Sequence, residues 1–325
     1  MTATDRIDFF IMGSERSGTT VTGVTLDQMP DICAVQATMV MTRLNNLWMM
    51  IRQVVEQGAD IDGVSGEHCG DLIDFLENSR PTRFLHQSLF HFCFYENLVN
   101  SSRSDVTKDA LSQKAYVEAL DFDRYMARFD EGDGTWANTV AAMYSEFAAA
   151  TGSSGAVFGE QTPDNALYIP AIMQVFPEAK FIFMIRHPVT AVASLMDRYT
   201  DMDYCVRQYR NPFSHFPFGD QAAMDRTLFV KFEDMLRDRN TIVNHIRKFL
   251  GMEALKPGAG TATHKAKMFS QYVGKSLSMN RYYRSLEKIP GDVRATIYKK
   301  NEDIATTFYP EAQTAEILTH GLKAA

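Results

Sequence analysis

The chain has 325 residues, 45% hydrophobic and 22% charged, with a formal net charge of −7. That size and balance suit a globular protein able to bury a large core. The acidic balance argues against a surface devoted to the nucleic-acid backbone or an anionic membrane, while leaving room for a local basic pocket around a small anion.

At the N-terminus, Asp5, Arg6 and Asp8 precede only a short apolar run, unlike the basic start and long apolar stretch of a signal peptide. Residues 7–12 form a short, β-prone run that stops at Gly13, as a buried parallel strand would. Gly13-Ser14-Glu15-Arg16-Ser17-Gly18-Thr19-Thr20 follows, and residues 21–29 suit a helix stopped by Pro30. Strand, glycine loop and helix in this order form a phosphate-binding context, because unpaired backbone N–H groups and the helix dipole converge on an anion. Ser17, Thr19 and Thr20 add hydroxyl donors, and Arg16 adds a forked cation. Thr19 stands where a nucleoside-triphosphatase loop carries lysine, which argues against ATP or GTP hydrolysis, and the dinucleotide pattern G-x-G-x-x-G is absent. The plainer alternative is a glycine-containing turn without a ligand.

Residues 38–150 are expected to be mainly helical. Met39, Met41, Leu44, Leu47, Trp48, Met50 and Ile51 follow a helical period that suits core packing, or else an adaptable apolar acceptor pocket. Residues 101–109 and 130–135 read as loops. An α/β pattern resumes near residue 156, with a helix at 169–176, a strand at 179–185 ending in Arg186-His187-Pro188, a helix at 189–199, a strand at 227–232 and a helix at 240–250 closed by Gly251. This alternation predicts an α/β fold, one P-loop-like domain over residues 1–325. A central parallel sheet is flanked by helices, with 38–150 a large helical insertion on the acceptor side. Cys33, Cys69, Cys93 and Cys205 lack zinc spacing and read as reduced thiols. No uncharged apolar segment approaches the ~20 residues needed to cross a bilayer. The expected location is the cytoplasm.

Residues 10–20 resemble the 5′-phosphosulfate loop of sulfotransferases that use 3′-phosphoadenosine 5′-phosphosulfate, especially the Arg-Ser-Gly-Thr-Thr form of bacterial and tyrosylprotein enzymes. Residues 181–188 and 193–198 resemble the family's 3′-phosphate motif, with Arg186 and Ser194 eight positions apart. Residues 159–163, 229–234, 249–251 and 270–275 resemble later landmarks. The resemblance implies in-line sulfuryl transfer to a hydroxyl or amine of a small-molecule acceptor, with adenosine 3′,5′-bisphosphate as product and no metal, and the methionine-rich helical region points to an apolar or amphipathic acceptor. The resemblance places Arg16, Ser17, Gly18, Thr19, Thr20, Arg186, Ser194, Arg198, Ser270 and Lys275 on the donor, and Arg16 and Gln161 at the transferring group, where Glu160, adjoining Gln161 at a strand end, joins them as a catalytic candidate. Two departures stand out: neutral Gln161 occupies the position of a sulfuryl-binding lysine, and the region of Gln36 and Ala37 lacks the glutamate that serves some relatives as base. Glu160, Asp164, His86 and His91 are the remaining base candidates. The alternatives are a small-molecule kinase-like transferase, which needs Mg²⁺ and acidic ligands, and a nucleotide-binding protein that has lost catalysis.

Overall fold

The computed structural model describes residues 6–61, 63–64, 70–103, 117–152, 155–255 and 279–321. Five short strands, β1 (Phe9–Gly13), β2 (Ile32–Gln36), β3 (Val157–Gln161), β4 (Lys180–Ile185) and β5 (Thr227–Lys231), form one parallel sheet in the order β2-β3-β1-β4-β5. Phe9 is in register with Gly159 on one side and Lys180 on the other, so β1 lies at the centre. Successive side chains of a strand point to opposite faces. Phe9, Ile11, Ile182 and Met184 accordingly pack with Leu26, Val243 and Ile246, whereas Phe10, Phe181 and Phe183 join the larger core on the other face. Burial on both faces explains why the central strands read as unbroken apolar runs.

On the first face lie α1 (Thr19–Asp27) and, following β5, the helices α11 (Phe232–Arg237) and α12 (Arg239–Phe249), labelled in chain order. Between β2 and β3 the chain forms α2 (Val40–Val55), α3 (Leu72–Asn78), α4 (Arg83–Arg103), α5 (Phe122–Glu131) and α6 (Trp136–Thr151). Helices α7 (Ile169–Val175), α8 (Pro188–Met196), α9 (Met202–His215) and α10 (Gln221–Asp225) connect the remaining strands. The chain closes with α13 (Met279–Tyr283), α14 (Gly291–Lys299), α15 (Glu302–Phe308) and α16 (Glu311–Thr319).

The predicted strand, loop and helix at the N-terminus and the later alternation are present. Ile32–Gln36 departs from expectation as a strand, entered immediately after Pro30. Its five residues are too few to display a period, and only its pairing with β3 makes it a strand. The methionine stripe divides between core, the border of a pocket and solvent. Met41, Leu44, Leu47 and Ile51 are core, Met39 borders a pocket, and Met50 is 43% exposed. Residues 130 and 131 belong to α5, not to a loop, and Ser101–Arg103 belong to α4. Cys33, Cys93 and Cys205 are buried free thiols, and Cys69 lies outside the described residues. No described helix is long and apolar enough to cross a membrane.

Candidate active site

The loop between β1 and α1 takes a shape that its glycines permit. Gly13 has φ 136°, and a Cβ there would lie 2.3 Å from the Met184 carbonyl oxygen on β4. Gly18 has φ 92°, and its Cβ would enter the Phe232 ring. Arg16 adopts φ 66° between them, a conformation that costs a non-glycine residue about 1 kcal/mol and persists where surrounding structure holds it. Ser17 supplies part of that hold, since its amide donates to the Ser14 carbonyl at 3.1 Å and its hydroxyl to the same oxygen. Ser14 Oγ donates to the Tyr209 carbonyl on α9. The helical ladder begins with Thr22 N–H to the Gly18 carbonyl at 3.0 Å, so the amides of Thr19, Thr20 and Val21 precede it without intrahelical acceptors. The loop is therefore a preformed anion cradle with a half-buried Thr20 and an exposed Arg16 at its mouth.

The end of β4 meets this cradle. Arg186 is 7% exposed and lies between the rings of Tyr282 and Phe232, with its guanidinium carbon 4.7 and 5.7 Å from their centroids. It donates to Thr190 Oγ1 (3.2 Å), the Arg16 carbonyl (3.1 Å) and the Tyr282 carbonyl (3.1 Å). Burial lowers its pKa from the ordinary guanidinium value, opposed by Tyr282 and Glu233. A guanidinium nevertheless remains a cation, and has five N–H donors. No described carboxylate forms an ion pair with it. Glu233, also buried, takes hydrogen bonds from the Tyr282 and Tyr309 hydroxyls and the His187 amide instead. Ser194 is one helical face away on α8, where its Oγ accepts from Arg16 Nε at 3.1 Å. Arg16 thus touches both halves of the second motif: Arg186 through its carbonyl and Ser194 through its side chain.

At the other edge of the loop, Gln36 and Gln161 are in register at the ends of β2 and β3. A Cβ on Gly23 of α1 would lie 2.6 Å from the Gln36 amide and 3.0 Å from Gln161 Cβ, which accounts for glycine in the middle of that helix. Gln161 is fully buried, and neither its Nε2 nor its Oε1 has a hydrogen-bond partner. Glu160 points to the opposite face of the sheet. It accepts from Thr38 N (3.3 Å), Thr38 Oγ1 (2.8 Å), Thr162 Oγ1 (2.5 Å) and Asn165 Nδ2. Burial raises its pKa to about 7 against the downward pull of those donors. This carboxyl ties the exits of β2 and β3 together and does not open onto the pocket beside the loop.

That pocket has a volume of about 320 Å³ and is bordered by Glu15, Met39, Pro163, Asp164, Leu167, Tyr199, Gln208, Asn211 and Pro212. Glu15 pairs with Arg198 at 2.6 Å and accepts from the Tyr199 hydroxyl at 3.3 Å. Asp164 is half-buried, and desolvation with the nearby Glu15 charge raises its pKa, opposed by Arg43. His86 is fully buried in the helical layer, stacked on Tyr125 and bonded to Thr139 Oγ1 and the Tyr125 carbonyl; burial lowers its pKa to about 4. His91 stacks on Tyr95 and Phe122, and neither histidine borders the pocket.

The structure therefore gathers Arg16, Ser17, Gly18, Thr19, Thr20, Arg186 and Ser194 at one crevice, with Gln161 beneath its edge and Arg198 across Glu15. Ser270 and Lys275 lie outside the described residues. Sequence reasoning missed Tyr282, Tyr209 and Glu233 as supports. Tyr209 sits on α9 between Tyr204 and Phe213 with nothing local to single it out, yet its carbonyl holds Ser14 and its hydroxyl donates to the Arg186 carbonyl at 2.8 Å. Among the described residues no three His, Cys, Asp or Glu side chains are grouped as a cation site.

A family model described as "Sulfotransferase family" matches residues 8–257. No curated protein matches the chain. Among solved structures, the sulfotransferase domain of the olefin synthase of Synechococcus PCC 7002 is 17% identical over 92% of this chain and 94% of that one, with a TM-score of 0.50. A sulfotransferase from Alicyclobacillus acidocaldarius is 14% identical over 95% of this chain and 99% of that one, with a TM-score of 0.41.

Proposed function

Because the chain belongs to the sulfotransferase family, we propose that it transfers a sulfuryl group from 3′-phosphoadenosine 5′-phosphosulfate to a small-molecule acceptor. The observation that carries this reading is Arg186, a buried cation that touches the phosphate loop and forms no ion pair with a described carboxylate. Burying an unpaired charge is expensive, and a phosphate dianion within reach of its remaining N–H donors offsets that cost. The cradle fits the same donor. Thr19, Thr20 and Val21 offer unaccepted amides to a 5′-phosphate, while Arg186 and Ser194 suit a 3′-phosphate two turns away along α8.

The donor supplies an electrophilic sulfur and a good leaving phosphate. The protein's part is positioning and charge stabilisation. Arg16, exposed at the mouth and already oriented by Ser194, is placed to neutralise charge on the leaving oxygen. Gln161 has hydrogen-bond donors and no partner, but it needs local movement to present them, since it is fully buried. Asp164 is the carboxylate open to the acceptor side, and that access favours it over the enclosed Glu160 as the proton acceptor. Titration calorimetry should detect adenosine 3′,5′-bisphosphate at affinity at least tenfold above AMP, with ATP binding poorly. ATP binding without bisphosphate binding would support a kinase-like transferase instead.

A further inference from the structure

Resting on that transfer reading, we infer that the acceptor is an alcohol or phenol carrying a cationic nitrogen, which seats against Glu15 and Asp164 in the pocket beside the phosphate loop. The pocket is bordered by two carboxylates and by no lysine, arginine or histidine. Glu15 shares its charge with Arg198, whose side chain is 61% exposed and stands outside the lining, and with the Tyr199 hydroxyl. Asp164 has no hydrogen-bonding or ion-pairing side chain among the described residues, although it is only half-exposed. An ammonium on Glu15 adds a counter-charge that the lining itself lacks, since Arg198 and Arg43 act on Glu15 and Asp164 from outside it, whereas an anionic acceptor meets both carboxylates in a site of reduced dielectric.

The rest of the lining defines the neutral part of the ligand. Met39, Pro163, Leu167 and Pro212 offer an apolar wall, and the Gln208 and Asn211 amides offer polar contacts. About 320 Å³ is at the small end of ligand pockets and suits one ring with a short side chain. The charge also selects the reacting atom. An alkylamine with a pKa of about 10 is protonated at neutral pH, and two carboxylates hold it so, leaving no lone pair for attack. The hydroxyl is then the nucleophile. Its oxygen forms the new S–O bond as the S–O bond to the donor's phosphate breaks. With the ammonium resting on Glu15 at the far end of the acceptor, the hydroxyl proton passes to Asp164, and adenosine 3′,5′-bisphosphate leaves with the electron pair.

Tyramine, 4-ethylphenol and 4-hydroxyphenylacetate present one phenol with a positive, neutral or negative side chain. Binding of each to the enzyme saturated with adenosine 3′,5′-bisphosphate is measured by calorimetry, and transfer from the sulfuryl donor by mass spectrometry of the product. Tyramine should bind about tenfold or more tightly than 4-ethylphenol, as a charge-assisted contact provides, 4-hydroxyphenylacetate should bind weakest, and the product should carry sulfate on oxygen. In Glu15→Gln the tyramine to 4-ethylphenol ratio should fall to about threefold or less. Equal or reversed ranking, no tyramine binding, sulfation on nitrogen or an unchanged ratio in Glu15→Gln overturns the inference while the donor reading stands. Absence of bisphosphate binding in the same calorimeter removes the donor reading, and the acceptor inference with it.

Discussion

Arg16 Nε donates to Ser194 Oγ at 3.1 Å, joining the loop after β1 to the helix after β4 across 178 positions of sequence. The bond places an exposed cation over the crevice between the two central strands, where the chain reverses its direction of travel across the sheet. Arg16→Ala should lower kcat by about 10²–10³-fold, the usual loss when one preorganised donor to a developing anion is removed. Ser194→Ala should weaken donor affinity by about tenfold, with a smaller effect on kcat. Single-turnover kinetics with labelled donor separates the two effects. A Ser194→Ala enzyme with wild-type donor affinity would remove Ser194 from the phosphate site.

Arg186 contributes to both binding and stability. In Arg186→Ala, discrimination between adenosine 3′,5′-bisphosphate and AMP should collapse by about 10–100-fold. The Arg16 and Tyr282 carbonyls lose a donor, at about 1–3 kcal/mol for each that stays buried. Calorimetry with both nucleotides tests the first effect and urea unfolding the second. Retained discrimination would place the 3′-phosphate elsewhere.

Gly13 and Gly58 both have positive φ, but only Gly13 is crowded. A Cβ at Gly13 would lie 2.3 Å from a backbone oxygen, whereas one at Gly58 meets nothing within 4 Å. Gly58→Ala should therefore cost about 1 kcal/mol, the conformational part alone. Gly13→Ala should cost several times that, because β1 and β4 must separate. Similar urea midpoints for the two variants would contradict the packing at the loop entrance.

Glu160 makes stability depend on pH with a defined sign. Its folded pKa of about 7 lies above the ordinary carboxyl value of 4.5, so the folded state holds the proton more tightly. The associated stability is complete below about pH 4.5 and is lost as pH rises through about 7, a change on the order of 3 kcal/mol. Glu160→Gln should remove this slope from the difference between variant and wild type across that window. The fold should tolerate the amide, because Asn165 Oδ1 has no partner and can accept from it after a flip. Parallel stability profiles between pH 4.5 and 7.5 would show that Glu160 does not titrate there.

Asp164→Asn should reduce kcat with little change in bisphosphate affinity, and should abolish the acidic limb of the kcat profile if Asp164 accepts the proton. An unchanged acidic limb would return the base to another group.

The glycine loop and the strand end at Arg186 were legible because each is a local pattern. Residues 7–29 alone carry a strand, a glycine loop and a hydroxyl-rich helix start, and residues 179–196 a strand ending in arginine before a proline-led helix. Local patterns also reveal the parallel sheet, since buried strands alternate with helices. Contacts that depend on distant segments leave no such trace. β2 is five residues without a period, Tyr209 and Tyr282 reach the site from α9 and α13, and Glu160 and Gln161, adjacent in sequence, face opposite sides of the sheet. The sequence by itself thus determined the glycine loop and the strand-end arginine that touches it. Only the tertiary structure decided which acidic groups face open space, turning Glu160 inward onto four donors and leaving Asp164 beside Glu15. Strand pleat and long-range packing set side-chain direction, and neither is encoded within a single segment.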